Sequence, residues 1–122
     1  MTIETINREF SVCKVDDLSR FDFTDEFYFI GKTDEEISLV CGSQSVPRNA
    51  SACDDGWRAF RIQGVLDFSL VGVLSKLSAL LAENGIGIFA VSTYNTDYIF
   101  TKAENFERAV AVLAADGYEV KR

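Results

Sequence analysis

The sequence predicts an α+β fold, with a C-terminal β-α-β-β-α-β unit and a strand-rich unit before it. Three observations predict it. Leu70, Val73, Leu74, Leu77, Leu80 and Leu81 recur at helical spacing and lay one apolar stripe along Asp67 to Asn84. In the run that follows, Ile86, Ile88 and Ala90 fall on one face and Phe89 and Val91 on the other, which predicts a central strand covered on both sides. Phe27 to Lys32 and Glu36 to Cys41 flank Thr33-Asp34-Glu35 as a hairpin would.

Taken in order, Phe10 to Val15 is a candidate strand, and Asp16 to Asp25 makes at most a short helix before the hairpin. Gly42 to Gly56 ("GSQSVPRNASACDDG") holds the only proline among Ser, Asn, Asp and Gly and reads as a surface linker. A boundary is therefore expected near residue 55, dividing a strand-rich unit at 1–55 from a domain at 56–122. Trp57 to Gly64 then places Phe60 and Ile62 opposite Arg61 and Gln63, as a strand does. Asp67 or Ser69 is expected to cap the helix after it, and Gly85 stands at the C′ position. Tyr98 to Thr101 is the next strand. Thr101-Lys102-Ala103-Glu104 reads as a capping box, opening a helix that buries Phe106, Ala109, Val110 and Leu113 and stops at Gly117. Tyr118 to Val120 closes the order as a short strand. This is the ferredoxin-like arrangement, with helices over one sheet face. No repeat is obvious in the sequence, although the N-terminal half suits a reduced copy of the β-rich part of the other.

Composition narrows the function. A net charge of −7 with no basic stripe argues against nucleic acid and anionic membranes. The apolar runs are too short to span a bilayer, and the N-terminus lacks the pattern of a signal peptide, so a cytoplasmic protein is expected. On that ground the sequon Asn49-Ala50-Ser51 is discounted. With no histidine, neither a Cys/His zinc site nor a Cys/His nucleophile pair can be built. The three cysteines, Cys13, Cys41 and Cys53, are odd in number and nowhere two residues apart in a C-x-x-C motif, and read as free thiols. Gly85-Ile86-Gly87 follows a helix instead of opening one and is no dinucleotide fingerprint. Asp67 and Asp97 could pair, but no base, metal set or cofactor loop accompanies them. No enzyme and no cofactor are expected.

Two places could carry a ligand. The loop from the first strand into the first helix, Leu66 to Gly72, sits above the strand ends, where helix-start amides favour a carboxylate. Asp67 there either caps the helix or meets an amine. Gly72, inside the expected helix, costs about 1 kcal/mol against Ala, which close packing or ligand approach would explain equally. The second place is the polar knot Ser92 to Asp97. Tyr94, Asn95, Thr96 and Asp97 offer phenol, amide, hydroxyl and carboxylate, which suit a turn as well as a ligand.

Leu66-Asp67-Phe68-Ser69-Leu70-Val71-Gly72 and Ile88-Phe89-Ala90-Val91-Ser92-Thr93-Tyr94-Asn95-Thr96-Asp97-Tyr98 resemble the paired motifs of the ACT-domain family. The similar branch is the short, stand-alone bacterial ACT-like proteins, related to the ACT repeats of aspartokinase-type and arginine-sensing regulators. "FYFIGKTDEEISLVC" resembles the branch too, so the likeness spans residues 8–120. Val71 stands where the branch carries Thr, and Asn95 where it carries Asp.

The resemblance implies a reduced ACT-like N-terminal unit beside a full C-terminal one, a homodimer, and a small ligand of the amino-acid class at an ACT–ACT interface. It implies a ligand site of Asp67, Phe68, Ser69, Val71, Gly72, Ile88, Phe89, Tyr94, Asn95, Thr96 and Asp97. In that site the helix-start amides take the α-carboxylate, Asp67, Asn95 and Asp97 take the amine or a cationic side chain, and Phe68 and Tyr94 form walls. The alternative is a ligand-free interaction module acting on a partner enzyme.

Overall fold

The computed structural model describes residues 1–63 and 72–122. Among them are strands β1 (Thr2–Val15), β2 (Tyr28–Lys32), β3 (Ile37–Gly42), β4 (Ala50–Ile62), β5 (Ile88–Ser92), β6 (Asp97–Lys102) and β7 (Glu119–Lys121). Helices α1 (Val73–Glu83) and α2 (Ala103–Ala115) and a 3₁₀ turn at Ser43–Ser45 complete the order. By contacts the chain divides into two compact units, Met1–Asn7 with Arg58–Arg122, and Arg8–Trp57. Residue 55 lies within β4, so the linker expected over Gly42 to Gly56 is strand from Ala50 onward.

In the first of these units the strand order is β7-β1-β4-β6-β5. With α1 between β4 and β5 and α2 between β6 and β7, the expected β-α-β-β-α-β order is present. One addition was not legible. The first strand starts at Thr2, well before Phe10, and its opening residues pair parallel with β7 at Thr2↔Glu119 and Glu4↔Lys121. Ile3 thereby joins Phe60, Ile62 and Ile99 from the sheet, Leu77 and Leu81 from α1, and Phe106, Ala109 and Leu113 from α2 in one buried core. Each large side chain in it contributes about 1.5–3 kcal/mol by leaving water.

Leu70 and the expected caps Asp67 and Ser69 lie outside the described residues; over the rest the helix stripes are as expected, but the helix starts are not. Helix α1 opens at Gly72, whose φ of 84° places it in the left-handed region with no side-chain cap. Glycine there meets a backbone requirement, instead of costing stability inside the helix. At the other end the Gly85 amide donates to Ala82 O and the Ile86 amide to Leu81 O, both at 3.0 Å, the Schellman pattern that the C′ glycine predicts. Helix α2 has Lys102 at its cap with no side-chain bond. The expected capping box fails because Thr101 is still in β6, paired with Ile88 and fully buried.

Strand β5 also departs from expectation. It is the edge of its unit, not a central strand; Ile88, Phe89 and Val91 are half-buried and Ala90 is exposed. The apolar Phe89 is accounted for by its cross-strand partner. Its ring stacks on Phe100 with centroids 4.4 Å apart and planes 1° from parallel.

The second unit, with strand order β2-β3-β1-β4, carries a repeat that the sequence hides. Its hairpin pairs Phe29↔Val40 and Lys32↔Ile37, and the β5–β6 hairpin pairs Phe89↔Phe100 and Ser92↔Asp97. Every number is raised by sixty. The correspondence continues past the hairpin, since the 3₁₀ turn starts at Ser43 and α2 at Ala103. The preceding residues Gly42 (φ −55°, ψ 140°) and Lys102 (φ −59°, ψ 142°) share one backbone conformation. Helix α2 continues because Phe106, Ala109, Val110 and Leu113 bury one face. Its counterpart stops at Val46, which is extended (ψ 123°), as the residue before a proline prefers.

Candidate functional site

The polar knot is the β5–β6 turn, and most of its side chains close it. The Thr93 amide donates to Thr96 O at 2.8 Å, and the Thr96 amide donates back to Thr93 Oγ1 at 3.2 Å. Ser92 Oγ donates to Asp97 Oδ1 at 2.6 Å across the first cross-strand pair. Thr96 is buried, and its hydroxyl donates to Ile62 O at 2.7 Å. That last bond ties the turn to the end of β4, two positions before Gly64. The turn's tip is different in kind: Tyr94 is 83% exposed, and Asn95 is exposed beside it.

Asp67, Phe68, Ser69 and Val71 lie outside the described residues. Of the other residues expected at a ligand, Gly72 precedes α1, Ile88 packs against the core, and Phe89 lies on Phe100. Tyr94, Asn95, Thr96 and Asp97 share the turn.

A charged group next to this hairpin was not anticipated. Arg61 of β4 donates from Nη1 to the Tyr98 hydroxyl at 3.0 Å and from Nε to Glu4 Oε1 at 2.8 Å, and its guanidinium lies over the Tyr98 ring. The Tyr98 bond, and then Glu4, hold the Arg61 pKa above its ordinary value. The hydrogen bond from Arg61 in turn holds the Glu4 carboxyl below its usual range. Alternation had placed Arg61 opposite Phe60; its partners come from β1 and β6, distant in sequence, and no local signal names them.

Comparisons with known proteins bear on this arrangement. No curated protein matches the chain in sequence. A solved protein of Agobacterium tumefaciens is 28% identical over 98% of this chain and 90% of its own, with a TM-score of 0.85. A Vibrio cholerae protein of unknown function, described as a possible transport protein, is 20% identical over 92% of this chain and 86% of its own, at a TM-score of 0.69. The aspartate kinase of Clostridium acetobutylicum, an allosteric enzyme, is 11% identical, covering 91% of this chain and 33% of that one, at a TM-score of 0.65. These last two show the fold alone. ACT domains are in general regulatory modules that bind small molecules such as amino acids. No helix among the described residues is long and apolar enough to cross a membrane. The family model for the ACT domain matches residues 52–115, more than half of the sequence, and the chain belongs to the ACT-domain family.

Proposed function

We propose that the protein is a cytoplasmic, non-catalytic sensor that binds an amino acid as a homodimer. Residues 56–122 act as the ligand-carrying ACT-like domain and 1–55 as its reduced companion. The ligand lies at an interface between ACT units, near the first strand–helix loop. Its α-carboxylate meets the amides around Ser69, Val71 and Gly72, and its amine meets Asp67, Asn95 and Asp97. Phe68 and Tyr94 form walls, while Ile88, Phe89 and Thr96 support the site from behind.

The observation that carries this reading is the Thr96–Ile62 bond. It fastens the turn to the strand that leads into the Leu66–Gly72 segment, so the two motifs are joined through one hydrogen bond and three intervening residues. The exposed Tyr94 is then a side chain with a use. Thermal denaturation against the twenty amino acids tests it. A ligand at a hundredfold excess over its dissociation constant stabilises by about 2.7 kcal/mol, and that shift should belong to one amino acid and vanish in Asp97→Ala. An identical shift in the variant overturns the site assignment.

The second reading, a ligand-free module acting on a partner enzyme, draws on β5. An edge strand offers unpaired backbone groups to another chain. It is favoured if no amino acid shifts the melting curve and the protein copurifies stoichiometrically with one partner.

A further inference from the structure

The unit Arg8–Trp57 gathers the chain's three cysteines, Cys13, Cys41 and Cys53, onto neighbouring strands. Cys13 Sγ and Cys53 Sγ are 3.0 Å apart. Two residues back along β1, Ser11 Oγ donates to Asp55 Oδ1 at 2.6 Å, two residues on along β4. That reciprocal step is the signature of directly opposed residues on antiparallel strands. Opposed residues have Cα atoms about 4.5 or 5.5 Å apart, and both spacings fall within the roughly 4.4–6.8 Å that a disulfide spans. Cys41 is placed differently. In register it opposes Ser11, while Cys13 opposes Leu39, so Cys41 is diagonal to Cys13; its thiol also interacts with that of Cys13, but it is fully buried and does not line the hollow that opens on Cys13 and Cys53.

Access is built in. Cys53 is exposed and Cys13 buried, and a hollow of about 250 Å³ opens on both, lined also by Val12, Lys14, Glu36 and Ser38. A metal ion suits the pair less well. Two thiolates on a tetrahedral ion, each at about 2.3 Å, stand roughly 3.8 Å apart, and no group of three or more Cys, Asp or Glu able to hold a metal occurs among the described residues.

We propose that Cys13 and Cys53 are a reversible thiol–disulfide site, which closes a cross-strand bond by exchange with a low-molecular-weight disulfide. The Cys53 thiolate, having lost its proton to water, attacks one sulfur of the reagent, whose S–S bond breaks to release one thiol. Cys13 then loses its proton and attacks Cys53 Sγ, and the mixed disulfide breaks to release the second thiol. Two protein thiols are oxidised and one reagent disulfide is reduced to two thiols.

Oxidised glutathione is the probe, with intact mass and a peptide map of the alkylated protein as readouts. The expected product has lost two hydrogens, contains a Cys13–Cys53 peptide and keeps Cys41 alkylatable. Closing this loop should raise Tm by roughly 10 °C, and dithiothreitol should reverse the rise. Cys41→Ser should behave as wild type, and Cys53→Ser should neither close nor gain stability. Cys53 is exposed, so that variant is expected to fold even if one at buried Cys13 does not. The proposal is overturned if the wild type stops at a mixed disulfide, if the bond forms through Cys41, or if Cys53→Ser shows the same oxidative shift.

Discussion

Thr33 and Thr93 close two different turns with the same pair of bonds. The Thr33 amide donates to Glu36 O at 2.9 Å and its Oγ1 accepts the Glu36 amide at 3.3 Å. Thr93 makes both bonds with Thr96, at 2.8 and 3.2 Å. The two turns diverge only in what the rest of each presents. The first carries Asp34, Glu35 and Glu36, all exposed; the second carries Tyr94 and Asn95 and buries Thr96. A shared frame with a buried hydroxyl in one copy alone is a reason to place the ligand on the second turn.

Replacing that hydroxyl should loosen the frame. Thr96→Val keeps the shape and removes the donor to Ile62 O, which is expected to cost about 1–2 kcal/mol as a buried carbonyl loses its partner. Urea denaturation measures it. A Thr93→Val variant should also weaken the turn, and a loss at Thr96 no larger than at any exposed threonine would show that the bond to β4 is dispensable.

At Gly72, conformation alone should decide the outcome. A Cβ added there meets nothing within 4 Å among the described residues, yet φ is 84°. Gly72→Ala should therefore destabilise by about 1–2 kcal/mol, the cost of a left-handed L-residue. A neutral or stabilising substitution would mean that α1 starts elsewhere.

Acid should weaken the unit that holds Glu4. Its folded carboxyl lies below the ordinary 4.5, first through the Arg61 hydrogen bond. Asp25, in the other unit, lies below 3.8, first through Arg8. Groups depressed in this way contribute stability above their unfolded values, and lose it as pH falls through the folded ones. Tm should therefore hold above about pH 5.5 as far as these groups are concerned, and fall below pH 4.5. The gap between wild type and Glu4→Gln should shrink over the same acid range. A gap that persists at pH 2 would assign the Glu4 contribution to packing.

The thiol pair should be slow at neutral pH. Desolvation first, and then Cys13 and Asp55, push the Cys53 thiol up to about 12. The groups facing it are Cys13 of β1 and Asp55 of its own strand, with Cys41 of β3 and Lys14, Glu36 and Asp54 around the hollow beyond them. Since the thiolate is the nucleophile, the initial rate of exchange should rise about tenfold per pH unit between pH 7 and 9. Asp55→Asn keeps an oxygen for Ser11 and removes the charge, so at pH 8 it should speed exchange about threefold or more. An unchanged rate would remove Asp55 from the control of this thiol.

Periodicity made both helices legible, because Leu77, Leu81, Phe106 and Leu113 face one core. The turns were legible from their polar residues. The position of β5 was not: Phe89 and Val91 make a strand apolar on both faces whether it is central or, as here, half-covered at an edge with Phe100 stacked beneath. Local chemistry also misplaced both helix starts. Thr101 has the residues of a capping box after it, but its pairing with Ile88 keeps it in the sheet. The repeat was hidden because what it conserves is register and backbone conformation, whereas Leu39 and Ile99, or Cys41 and Thr101, share little beyond being buried. The cysteine pair was out of reach for the same reason, since only the antiparallel register of β1 and β4 brings positions 13 and 53 together.

The parallel pairing of Thr2–Glu4 with Glu119–Lys121 has a practical consequence for anyone dissecting the molecule. A gene fragment trimmed to the residues that match the family, 52–115, discards both partners of that pairing and with them Ile3, a fully buried side chain. Such a fragment exposes the flank of β4 and a vacancy beneath the helices, and should be recovered as an aggregate. The repair the topology suggests restores both strands, by extending the fragment through β7 and supplying the first seven residues as a peptide or a spliced segment.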